Sequence, residues 1–162
     1  MFVNKMPAKS MLAGVLVLCA LSVVSLRFAW ATPGQGVVTT ILTGPVQLDE
    51  IELKSISLDH QVRVKTQGYS DVYIVHNRVA PGGQTGWHSH PGISFITVKS
   101  GQATEYHGDD PLTPHVYAAG NGPVEEAGGV HNIRNEGDVD LELVAFQILP
   151  YGATRRIDEP QP

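Results

Sequence analysis

From Thr32 onward the chain is built of short runs in which apolar and polar positions alternate or β-branched residues cluster. Each run is closed by glycine, proline, asparagine or aspartate. A period of two sends successive side chains to opposite faces of an extended strand, and the 3.6-residue period of a helix is hard to find in these runs. The pattern predicts strands over residues 37–42, 51–58, 72–79, 87–90, 94–98, 103–107, 116–119, 130–134 and 141–149. Turns are expected at Ala80-Pro81-Gly82-Gly83, Lys99-Ser100-Gly101, Gly108-Asp109-Asp110-Pro111, Gly120-Asn121-Gly122-Pro123 and Asn135-Glu136-Gly137-Asp138. Many short strands with frequent turns and no internal repeat describe a single all-β domain, a sandwich or a barrel. Residues 150–162 are rich in proline and charge and are expected to lie over the surface or to be disordered.

The first 31 residues follow another rule. Lys5 and Lys9 precede an almost wholly apolar stretch over residues 11–26, and Ala29-Trp30-Ala31 supplies a small-x-small cleavage pattern. This is the layout of a secretory signal peptide, whose apolar part is short for a bilayer span. The mature chain is expected to begin near Thr32, to be periplasmic or secreted, and to have no stable membrane insertion; an uncleaved N-terminal anchor is the alternative. Cys19 does not read as a lipidation site, because bulky Leu18 precedes it and the apolar run continues past it. It is also the one cysteine of the chain, so the mature part has neither a disulfide framework nor a thiol nucleophile.

Charge narrows the partners. The whole chain carries a formal −5, and loss of Lys5, Lys9 and Arg27 with the signal leaves 8 basic against 16 acidic residues, or −8. Such a surface argues against nucleic acid. About 130 residues suffice for one core and not for two ordinary domains.

Candidate chemistry gathers at histidines. His88 and His90 are two apart, which in a strand puts both on one face and lets one metal ion accept both. Two imidazoles leave a coordination shell open. His131, in a later strand, is the candidate third ligand if the two strands face each other across a barrel. Glu125 and Glu126 precede it, but Ala127-Gly128-Gly129 interrupts the alternation, and acids at a strand end are expected to be solvated. Ile96, Val98 and Ile133 are expected to wall the pocket, Trp87 and Phe95 to pack on the opposite faces, and Asn135 to serve its turn. His76, with Arg78 on its face, is expected to meet solvent, as are His107 and His115.

The spacing resembles the cupin superfamily, in particular small single-domain bacterial cupins. Gly82, His88, His90, Ser94 and Gly101 stand at the intervals of the first cupin motif, with Ser94 where the family usually carries glutamate. Gly120, Glu126, Gly128, His131 and Asn135 stand at those of the second, with Glu126 in place of proline. The stretch Trp87-His88-Ser89-His90-Pro91-Gly92 and the closing Arg155-Arg156-Ile157-Asp158 are similar to the same group. The resemblance implies a jelly-roll barrel (double-stranded β-helix) over residues 32–149, between the signal at 1–31 and the tail at 150–162. It also implies His88, His90 and His131 as ligands of one divalent transition metal ion: iron, manganese, copper, nickel or zinc. With the carboxylate missing at Ser94, either a neutral three-histidine face remains or Glu125 or Glu126 restores the charge. Two functions follow. One is an oxygenase-type, metal-dependent oxidoreductase acting on a small molecule; the other is a non-catalytic binder of metal or small ligand, a sensor or a structural jelly roll. The resemblance leaves room for a homodimer.

Overall fold

The computed structural model describes residues 31–162, so the expected signal peptide lies outside the described residues except for Ala31. Among the described residues there is no helix, and hence none long and apolar enough to cross a membrane. Twelve strands run in chain order as β1 (Gln35–Leu48), β2 (Glu52–Ser57), β3 (His60–Lys65), β4 (Ser70–Gln84), β5 (His88–Ser89), β6 (Ile93–Ser100), β7 (Gln102–His107), β8 (His115–Ala118), β9 (Val124–Glu125), β10 (His131–Arg134), β11 (Leu141–Pro150) and β12 (Ile157–Asp158).

One curled antiparallel sheet holds ten of them. On one wing β4 lies between β1 and β11, and β11 continues to β6 and then β9. On the other, β10 pairs with β7 and with the β4 end and β5, while β12 covers the free side of β5. Fifteen-residue β4 joins the two wings: its first part pairs with β11 and its last residue, Gln84, with Arg134 of β10. This is an all-β jelly roll, the fold class expected from sequence.

Alternation explains the core. Along β11, Leu141, Leu143, Ala145, Gln147 and Leu149 are buried while the residues between them are not. Val79, Val98, Ala103, Ile133, Leu141 and Leu143 form one apolar cluster, and Tyr73, Val75, Ala145 and Leu149 form a second. Burying each large aliphatic side chain contributes about 1.5–3 kcal/mol. These clusters supply the apolar floor of the interior.

Three elements were not expected. β2 and β3 form a hairpin apart from the main sheet, joined through Leu58, whose φ of 49° is left-handed. Only β2 was predicted, because β3 offers just two apolar residues, Val62 and Val64, among four polar ones. β9 follows the turn expected at residues 120–123 and precedes the strand expected over 130–134, in a stretch given no strand of its own. Most consequentially, the C-terminal tail pairs with β5: Ile157 pairs with Ser89 and Asp158 with His88, Thr32 N–H donates to Glu159 O (3.1 Å), and Glu159 N–H donates to Trp87 O (3.0 Å).

Leu143 is 1% exposed in the core, whereas Leu112 is 90% exposed. Leu143→Ala is expected to lower the unfolding free energy by about 2–5 kcal/mol. Leu112→Ala should stay within about 0.5 kcal/mol of the parent. Urea denaturation of the two variants checks the placement of the core; equal losses would contradict it.

Candidate metal centre

His88 and His131 are directly opposed residues of β5 and β10. Opposed residues of an antiparallel pair share a face, so the two imidazoles meet as neighbours in one sheet and not across a barrel as expected from sequence. His90, two residues beyond His88, returns to that face. The ring centroids are 4.2 Å apart for His88 and His131, 4.9 Å for His88 and His90, and 5.3 Å for His90 and His131. All three are buried, and one nitrogen from each falls within 4.8 Å of the others.

The other ring nitrogens decide what those atoms are. Each Nδ1 faces a backbone carbonyl: His88 toward Gly86 O at 2.8 Å, His90 toward Arg155 O at 2.7 Å, and His131 toward Gly129 O at 2.9 Å. A carbonyl oxygen only accepts, so each Nδ1 carries the proton and donates it. In the neutral rings every Nε2 is then a bare lone pair, and Nε2 of His131 and of His88 stand 3.2 Å apart. Two nitrogens bound to one ion at about 2 Å are separated by roughly 3–3.5 Å, so this pair fits a shared metal. Gly86 is needed for the arrangement: its φ is 74°, and a Cβ there would lie 2.1 Å from Thr32 O.

A carboxylate completes the set. Glu125 is 4% exposed, with Oε1 2.9 Å from His131 Nε2 and Oε2 3.5 Å from His90 Nε2. Neither oxygen receives an aligned hydrogen bond. In the β6–β9 pair Glu125 stands directly opposite Ser94. The acid absent at Ser94 therefore returns from the adjacent strand on the same face, which corrects the expectation that Glu125 is solvated; Glu126 is exposed as expected. The turn that separates Glu125 from His131 passes through Gly128, whose φ of 76° folds the chain back so that both side chains reach one point. Ser94 is fully buried and accepts a 3.3 Å hydrogen bond from Gln147 Nε2.

Burial, together with His131, Arg156 and His90, holds His88 well below the usual imidazole range, and only the Gly86 carbonyl opposes this. Burial also lowers His90, against the pull of Glu125. For His131 burial acts downward, but the Glu125 carboxylate 2.9 Å from its Nε2 raises it overall. A single proton on His131 can answer one pair of these groups. A divalent cation can answer all four.

Glu105 was missed by the sequence reading. It is fully buried on β7, its oxygens receive no aligned hydrogen bond, and His107 Nε2 lies 3.2 Å from Oε2. Burial first, then the charge of Glu125, raises its pKa. The signal was its alternation with Ala103, which is buried on the same face. His107 is half-buried and His115 exposed. His76 pairs with Glu142 (3.2 Å) and Arg78 with Asp140, both on the outer face. Asn135 Nδ2 donates to Val79 O and Val139 O (2.8 Å each), a structural turn role as expected. Trp87 is buried and Phe95 partly exposed; Ile96 and Ile133 line the cavity as expected, whereas Val98 is buried in the apolar cluster and does not reach it.

A cavity of about 200 Å³ opens over the centre, lined among others by His88, His90, Ser94, Glu125, Gln147 and Arg155.

Residues 75–147 match the family described as the cupin domain. No curated protein matches the chain. Among solved structures, an uncharacterized conserved protein with a double-stranded beta-helix domain from Klebsiella pneumoniae is 21% identical, with 68% of this chain and 85% of that one covered and a TM-score of 0.47. A cupin superfamily protein from Desulfitobacterium hafniense is 14% identical, with 70% and 78% covered and a TM-score of 0.47. A predicted oxalate decarboxylase from Thermotoga maritima is 21% identical, with 52% and 84% covered and a TM-score of 0.43.

The raised Glu105 pKa sets a pH dependence. An acid whose folded pKa exceeds its unfolded value costs stability above the folded pKa and nothing below the unfolded one. In chelator, Glu105→Gln is expected to be more stable than the parent at pH 8, with the advantage shrinking as pH falls toward 4.5. Urea midpoints across that range test it; a loss of stability at pH 8 would show that Glu105 is held by partners and not strained by burial.

Proposed function

We propose that the chain is an exported metal-binding cupin whose centre is held by His88, His90, His131 and Glu125 and acts on a small organic molecule. The observation that carries the reading is the convergence of one ring nitrogen from each of three buried histidines with a buried carboxylate that receives no aligned hydrogen bond. Buried groups of this kind are costly unless a cation answers them. Nitrogen and oxygen donors in this number suit a first-row divalent ion, and they leave coordination positions for a ligand.

The reaction class proposed is an oxygenase-type oxidation. A bound transition ion would supply Lewis acidity and, where redox-active, electron transfer with dioxygen. The chain's own residues do the rest. Glu125 offsets one positive charge, the three carbonyls fix the imidazole orientations, and Gln147 and Ser94 offer hydrogen bonds beside the open side. Export rests on the pattern of residues 1–31, and N-terminal sequencing of the secreted product is expected to read from Thr32.

Tag-free protein is expected to hold close to one transition ion per chain by elemental analysis, and the His88→Ala, His131→Ala double variant close to none. Equal, near-zero metal in both would sink the reading. Glu125→Ser should weaken binding about 10-fold or more. Because Ser94 and Glu125 are cross-strand partners, adding Ser94→Glu to that variant is expected to recover much of the loss. Oxygen uptake by the loaded protein with thiols, diketones and phenols separates an oxygenase from a binder.

A further inference from the structure

The cavity over the centre has an unbalanced charge. Two arginines of the C-terminal tail line it. Arg156 is answered: its Nε donates to Asp158 Oδ1 at 2.6 Å and its Nη2 to Thr85 O at 2.9 Å. Arg155 is not. Its guanidinium donates once, from Nη1 to Gln147 Oε1 at 3.3 Å, and it makes no ion pair among the described residues. A half-buried cation beside a second cation is unfavourable unless an anion reaches it. Glu125, which also lines the cavity, is turned to His90 and His131.

The rest of the lining says what kind of anion. Thr39, Asn77 and Ser94 give neutral polar contacts, while Ile96, Leu143 and Ala145 form an apolar wall. About 200 Å³ holds on the order of six waters, which admits a molecule of a few carbons. An apolar wall facing a planar guanidinium suits a carbon skeleton ending in a carboxylate better than an inorganic oxyanion. Gln147 connects the two halves of the site, since its Oε1 accepts from Arg155 while its Nε2 lies 3.5 Å from both ring nitrogens of His90.

We propose that this cavity binds a small organic carboxylate whose charged end is anchored by Arg155, beside the histidine centre. The assignment rests on the metal-centre reading for what the ligand's other end meets, but the anchor itself is Arg155. The same residue has two roles by separate atoms: its backbone carbonyl orients His90 and its side chain faces the cavity. A side-chain substitution therefore leaves the His90 contact in place.

The test is calorimetric titration of the zinc-loaded and the chelator-treated full chain with butyrate, butyramide and inorganic phosphate, using the parent, Arg155→Gln and Arg155→Lys. Parent protein is expected to bind butyrate well above butyramide. Arg155→Gln should weaken butyrate about 10-fold or more and Arg155→Lys less, with zinc content unchanged in both. Equal butyrate binding by parent and Arg155→Gln, no preference over butyramide, tighter phosphate than butyrate, or loss of zinc together with butyrate would each overturn it. A parent chain that takes no zinc yet binds butyrate through Arg155 would uphold the anchor and remove the metal reading; one that takes zinc without discriminating butyrate would do the reverse.

Discussion

The site depends on three hydrogen bonds from imidazole Nδ1–H to backbone carbonyls, at Gly86, Gly129 and Arg155. They do more than hold rings in place. Since the acceptors have no proton to give, they choose the tautomer of each ring and leave the Nε2 lone pairs facing one another. The arrangement is repulsive by itself and becomes favourable around a cation. Two of the acceptors stand two residues before their own histidine, so the local turns at Gly86 and Gly129 aim His88 and His131. The third acceptor is 65 residues from its histidine, which ties His90 to the tail.

The carboxylate shows that the chemistry asks for a charge at a point in space and not at a position in the chain. Opposed residues in an antiparallel pair have Cβ atoms roughly 5 Å apart on the same face, within the reach of a glutamate. Moving the acid from Ser94 to Glu125 therefore needs no change in the sheet. It does change the neighbourhood. Ser94 becomes a small hydrogen-bonding floor for Gln147, and space is left on the side where the cavity opens.

The fold and the three histidines could be read from sequence because period-two alternation and the spacing of two short motifs are local properties. The jelly roll and the grouping of His88, His90 and His131 follow from them. Glu125 was named as a candidate but its direction was not legible: the glycines that follow it erase the alternation, and only the pairing of β9 with β6 fixes its face. Glu105 was passed over because an acid in a strand is usually on the solvent side. The pairing of the tail was not legible for a similar reason. Its proline and charge describe a solvated segment, whereas two residues of pairing with β5 and a few specific hydrogen bonds suffice to order it.

That tail changes what counts as the site. It lies beyond the stretch that matches the cupin family, yet it closes the free side of the strand bearing His88, with Ser89 Oγ donating to Glu159 at 2.8 Å, and it aims His90. The motifs supply donors to a metal and the concave sheet supplies a floor, but neither provides the cationic side of the cavity. Arg155 and Arg156 come from the same short segment as the carbonyl that orients His90. Orientation of the centre and charge of its open side are thus set by one piece of backbone, so a displacement of residues 155–158 would alter both together. The arrangement couples what the centre can hold to what the cavity can admit.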